Sequence, residues 1–144
     1  MDTKDNYLDL FDNKEKAIHH ALWLNFKYRI AKITFGVIQI KKQWAVLEEA
    51  TAKEMNVEFL DMLPKDFSKL SYDEIRHLRM DREPLPHWEN IFGMISVMDG
   101  EVLRYLLHSK LPIEKLIRFE LAGRGHDKNH RWCGFEKAND VWLR

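Results

Sequence analysis

The stretch RIAKITFGVIQIKKQWAVL, residues 29–47, decides the fold class. Ile30, Ile33, Thr34, Val37, Ile38 and Ile40 are β-branched, and such side chains suit a pleated strand better than a helix. Gly36 is a poor helix-interior residue. Lys41, Lys42 and Gln43 interrupt the apolar run as a polar turn, and Trp44–Leu47 resumes it. Two apolar runs about a short turn read as a β-hairpin over residues 30–47. The competing reading carries an upstream helix on to about residue 34, because Ala31 and Lys32 are good helix formers.

Upstream, Asn13 is an N-cap for a helix beginning near Lys14. Ile18, Ala21, Leu22, Asn25 and Phe26 recur at helical spacing, which gives that helix one core-facing side. Downstream, residues 48–56 suit a short helix and Val57–Leu60 a third strand, closed off by Pro64. Ser71 and Glu74 form a capping box, so a helix should run from Tyr72 to about Met80. Pro86 suits the first turn of a helix from His87 to about Met98. Asp99 caps another through about His108. Pro112 opens a helix that places Ile113, Leu116, Ile117 and Leu121 on one side, with Gly123 as its stop. A polar loop, residues 124–130, precedes a last short helix bearing Phe135, Ala138 and Trp142. The expected fold is α+β: one domain over 1–144, predominantly helical. It should hold about five helices and a small antiparallel hairpin or three-stranded sheet in its N-terminal half.

Composition fits that picture. A chain of 144 residues with 45% hydrophobic residues can bury a core without staples. The one cysteine, Cys133, has no partner for an intramolecular disulfide. The polar, acidic start MDTKDNYLDLFDNKEK carries no signal-peptide pattern. No stretch approaches the roughly 20 apolar residues of a membrane span. A cytoplasmic protein is expected.

The net charge of zero hides an uneven distribution. Residues 14–47 hold seven cations (Lys14, Lys16, Lys27, Arg29, Lys32, Lys41, Lys42) and one acid, Glu15. Residues 48–90 hold eleven acids against six bases. The basic segment is interleaved with Trp23, Phe26, Tyr28, Phe35 and Trp44. Cations neutralise phosphates and aromatic faces stack on unpaired bases, so this pattern points to nucleic acid or to a nucleic-acid-processing protein. Lys27, Arg29, Lys32, Lys41 and Lys42 would make the charged contacts, and Tyr28 and Trp44 the stacking ones. The bland alternative turns the aromatics inward and leaves the lysines to solvate the outer face.

Other constellations are thinner. His126, His130 and Cys133, with Asp127 or His108 as a fourth ligand, have donor chemistry for zinc but not the spacing of a standard finger. The same cluster could serve a small Cys/His or metal-dependent enzyme. Glu74 and His77 share a helix face as in di-iron bundles, but a second such pair is absent. Glu74 is better used as the reciprocal half of the capping box. His19 and His20 point in two directions around their helix, so at most one faces any site. No Gly-x-Ser-x-Gly elbow, phosphate loop or His-Glu-x-x-His occurs. The apolar stretch Trp88–Leu111, with Met94 and Met98, reads first as the buried centre of the domain and second as a homodimer face. The residues therefore favour a non-catalytic binding or regulatory protein, without metal or cofactor. A small inhibitor or modulator of the kind carried by phages and mobile elements fits.

Overall fold

A computed structural model describes residues 9–62 and 66–144. The acidic start before Asp9 and the break expected at Pro64 lie outside the described residues. The fold is α+β and mainly helical, with one three-stranded antiparallel sheet near the N-terminal end. Two compact units are formed, one up to Ser96 and one from Val97 to Arg144.

In the first unit, β1 (Asp9–Phe11) leads into α1 (Lys14–Lys27). The Asn13 side chain accepts from the Lys16 amide at 3.1 Å, as an N-cap should. The helix stops at Lys27, so the longer-helix alternative fails. β2 (Phe35–Ile40) and β3 (Gln43–Glu48) then form the expected hairpin, with Phe35 opposite Glu48 and Ile40 opposite Gln43.

Strand alternation explains why the hairpin is buried on both faces. Phe35, Val37 and Val46 meet Ala17, Ile18 and Ala21 of α1. Ile38, Ala45 and Leu47 project to the other side, against Ala52 of α2 (Glu49–Glu54) and half-buried Met55 and Phe59. A Cβ at Gly36 would overlap the Phe59 ring, so the absence of a side chain there lets the ring lie on the strand.

The third strand is β1, which pairs with β3 through Asp9–Val46, Leu10–Ala45 and Phe11–Trp44. Val57–Leu60, expected to fill that place, is not a strand. From it the Leu60 amide donates to the Val37 carbonyl at 2.8 Å, a single backbone bond on the free edge of β2. The same edge takes a second cover from α1. Asn25 accepts from the Phe35 amide at 2.7 Å and donates to the Phe35 carbonyl at 3.1 Å, standing in for a neighbouring strand.

The Ser71–Glu74 capping box forms as expected at the start of α3 (Tyr72–Arg79). α4 (Pro86–Ser96) comes next and ends two residues before Met98. Lys16 on α1 reaches the Asp81 carboxylate at 2.9 Å and the Glu83 carbonyl, which ties the α3–α4 connection to α1.

The second unit contains α5 (Gly100–His108), α6 (Ile113–Gly123) and α7 (Phe135–Trp142). Asp99 caps α5 through the Glu101 and Val102 amides. Gly123 is still helical. The stop falls two residues later, where Gly125 takes a φ of +71° and lies flat beneath the Trp132 ring. The described residues thus contain seven helices, the two short segments at 49–54 and 135–142 adding to the five longer ones.

The Trp88–Leu111 stretch is not a buried centre. Trp88 is buried, but Ile91, Met94, Ile95, Val97, Val102, Tyr105 and Leu107 are exposed. Helical periodicity gives each helix an apolar side, and that side does not coincide with a packed neighbour.

The Asn25 clamp provides a test of this architecture. Asn25→Leu keeps the volume but leaves the buried Phe35 amide and carbonyl without their partner. Unfolding in urea should show a loss of about 1–3 kcal/mol. An unchanged midpoint would mean that the clamp does not anchor α1 to β2.

Candidate functional site

The basic segment divides when folded. Lys27, Tyr28, Arg29 and Lys32 gather where α1 ends and turns toward β2. The Lys27 ammonium lies 5.5 Å from the Tyr28 ring centroid, and the Arg29 guanidinium lies 4.3 Å from that of Phe26. Arg29 Nη1 also donates to the Phe26 carbonyl at 2.8 Å. Lys32 takes a φ of +58°, which makes a tight corner of residues 28–34. Phe26 is 57% exposed, an unusual state for a phenyl ring.

Lys41 and Lys42 are elsewhere. They form the hairpin turn at the far end of β2, roughly 20 Å away at about 3.3 Å per strand residue. Trp44 is half-buried and packs on the α1-side core, and Phe35 is buried, so the inward-facing alternative describes these two aromatics. Lys16 is engaged by Asp81. What remains at the corner is compact: three cations around Phe26 and Tyr28.

The 126–133 loop is built for turning. Asp127 Oδ1 accepts the Asn129 and Arg131 amides at 2.8 and 3.0 Å, and these bonds hold its carboxyl below the usual range. The His126 and His130 rings stack with centroids 4.9 Å apart. The Cys133 thiol faces the Gly134 carbonyl at 3.6 Å, and the Trp142 indole N–H donates to the His126 carbonyl at 2.7 Å. Among the described residues no three His, Cys, Asp or Glu side chains form a metal-holding group. His77 in α3 lies against its own helix, with Nδ1 2.7 Å from the Asp73 carbonyl.

A site that sequence reasoning misses lies in the first unit. A cleft of about 780 Å³ opens between the β1–α1 junction, α3 and the start of α4. Its walls carry the carboxyl groups of Asp12, Glu15, Glu74, Asp81 and Glu83, against the single ammonium of Lys16. His19 and Trp88, only 4% and 8% exposed, also line it. Neither His19 Nδ1 nor Trp88 Nε1 has a hydrogen-bond partner. Leaving such a group unpaired costs about 1–3 kcal/mol, so both nitrogens call for explanation.

Beside the cleft, His19 joins an aromatic cluster. Phe67 meets His19 and Trp88 edge-on, with both centroid distances 5.1 Å. His87 stacks flat on Trp23 at 4.8 Å, and His20 sits 5.4 Å from Phe11 with Nε2 2.8 Å from Asp9. Burial lowers the pKa of His19 against the opposing pull of Glu74 and Glu15, and lowers that of His20 against Asp9. Burial pushes His87 down to about 4, and His20 and His19 push it the same way. The three imidazoles are neutral at pH 7.

No protein-family model, curated protein or solved structure matches the chain.

The histidine cluster sets a pH dependence with a definite sign. An unfolded histidine titrates near 6.5, so between about pH 6.5 and about 4 the unfolded chain holds protons that folded His87 does not. Stability is therefore full above this window and falls as the pH drops through it. Chemical unfolding across the window should show a shallower decline for His87→Gln than for the wild type. Parallel curves would remove His87 as a source of acid sensitivity.

Proposed function

We propose that the chain is a non-catalytic binding protein whose Phe26–Lys32 corner contacts a nucleic acid or a protein that processes one, in the manner of a small inhibitor or modulator. The observation that carries this reading is the exposed Phe26 ring with the Arg29 guanidinium on its face, flanked by Lys27, Tyr28 and Lys32. Cations on a corner can neutralise successive phosphates, and a guanidinium stacked on an aromatic ring offers a flat platform for an unpaired base. Lys41 and Lys42 belong to a second basic point at the opposite end of β2, and they extend the footprint only for a long ligand.

The test is binding of a fluorescent single-stranded oligonucleotide at several salt concentrations. Lys27→Glu with Lys32→Glu should weaken binding at least about tenfold and flatten the salt slope, each lost phosphate contact removing roughly 0.7. Lys41→Glu with Lys42→Glu should have the smaller effect. Co-purification with and without nuclease separates the two partner types: a protein retained after nuclease treatment is the direct partner. Unaltered binding in the corner variant would rule the corner out.

A second reading rests on the apolar side chains exposed along α4 and α5, among them Met94 and Tyr105. It makes the chain a homo-oligomeric subunit joined through the Trp88–Leu111 stretch. Light scattering should then give a dimer that Met94→Lys or Leu107→Lys converts to monomer. A wild-type monomer at high concentration would eliminate it.

A further inference from the structure

We propose that the cleft between the β1–α1 junction, α3 and the start of α4 binds an organic cation, an amine or guanidinium group carried by a basic peptide. The site is separate from the Phe26–Lys32 corner and does not depend on it.

Three features select that chemistry. The first is charge: Asp12, Glu15, Glu74, Asp81 and Glu83 surround the opening, and the lone cation, Lys16, is already taken by Asp81 and the Glu83 carbonyl. The Glu15 and Glu83 carboxylates enter no ion pair among the described residues, and so are open to a ligand. These acids are spread around a wide rim, and no three of them converge as metal ligands do. An extended organic cation can satisfy such a rim, whereas a bare divalent ion needs its oxygens drawn into one shell.

The second feature is the lining. Leu10, Phe11, Leu85 and Trp88 supply apolar and aromatic surface, on which the methylene stem of a lysine or arginine can lie with its charged head at the carboxylates. The volume suits a ligand of a few residues.

The third feature is independent of charge and points to a ligand with polar groups of its own. His19 and Trp88 are more than nine-tenths buried, line the cleft, and have ring nitrogens without partners. The Trp88 indole can only donate, so its complement is an acceptor. A neutral His19 presents either a donor or an acceptor at Nδ1. A peptide offers both through its main-chain carbonyl and amide, beside the cationic side chain that the rim requires. A polyamine offers the cations without a carbonyl.

The experiment titrates the full chain with two probes: spermidine, and a tetra-lysine peptide acetylated at its N-terminus and amidated at its C-terminus. Calorimetry gives the affinity, and the indole N–H resonance of Trp88 reports occupancy in heteronuclear NMR. Its assignment comes from Trp88→Phe. The expected result is saturable peptide binding that shifts the Trp88 resonance, with spermidine at least about tenfold weaker. Glu15→Gln with Glu83→Gln, both at solvent-exposed positions, should weaken the peptide about tenfold or more while unfolding at the wild-type temperature. Equal affinity for spermidine would replace the peptide by a free polyamine as the occupant. Binding that leaves Trp88 unshifted, affinity unchanged in the double variant, or no binding of either probe would each overturn the proposal.

Discussion

The structure of the first unit depends on one packing relation, the seating of α1 across the hairpin. Ala17, Ile18 and Ala21 bring the helix close because two of the three are alanines, and Phe35, Val37 and Val46 fill the space beneath them. Direction is set by hydrogen bonds at the two ends. Asn25 grips the Phe35 main chain near the C-terminal end of the helix, and His20 and Lys16 reach Asp9 and Asp81 toward the other. Van der Waals packing alone tolerates rotation and sliding. Paired polar contacts at known positions do not, which is why α1 can position side chains for a site.

Both sites are consequences of that seating. The basic corner arises where α1 runs out and the chain must turn sharply into β2. The acidic cleft lies beside the N-terminal end of the same helix. Glu15 near its start and Lys27 at its end also complement the helix dipole, so part of the charge segregation has a purely local cause. The zero net charge is thus the sum of two poles on one element, and an argument from total charge would miss both.

Legibility in the sequence tracks the range of the interactions. The hairpin, the Asn13 cap, the Ser71–Glu74 box and the Asp99 cap are written within a few residues, and each forms where the residues indicate. The third strand is misplaced by local reasoning because Asp9–Phe11 is three residues long and not β-branched, whereas Val57–Leu60 has strand-like composition. Only the partner strand β3 distinguishes them. The cleft is hidden for a similar reason. Its residues come from the segments around 10–19, 74–78 and 81–88, and each has a satisfying local explanation as a cap, an ion pair or an apolar contact. The available signal is indirect: a histidine, His19, placed on the same helical face as core residues, and a tryptophan, Trp88, whose N–H has no evident partner. At the basic segment, alternation along the strands could show that Phe35 and Trp44 turn inward. It carries no information on the distance between Lys32 and Lys41.

Two of the six glycines share a role that their local turns do not reveal. Phe59 rests on Gly36 and Trp132 rests on Gly125, each ring occupying the space where a Cβ would project. Gly93 and Gly123 face open space by comparison. The ring and the glycine beneath it therefore form a unit whose members are far apart in the chain in the first case and close in the second. Drift at either member is constrained by the other: a larger residue at Gly36 becomes acceptable only after Phe59 has shrunk. Neutral variation in this protein should accordingly proceed at Gly93 and Gly123 one residue at a time, and at Gly36 only in paired steps.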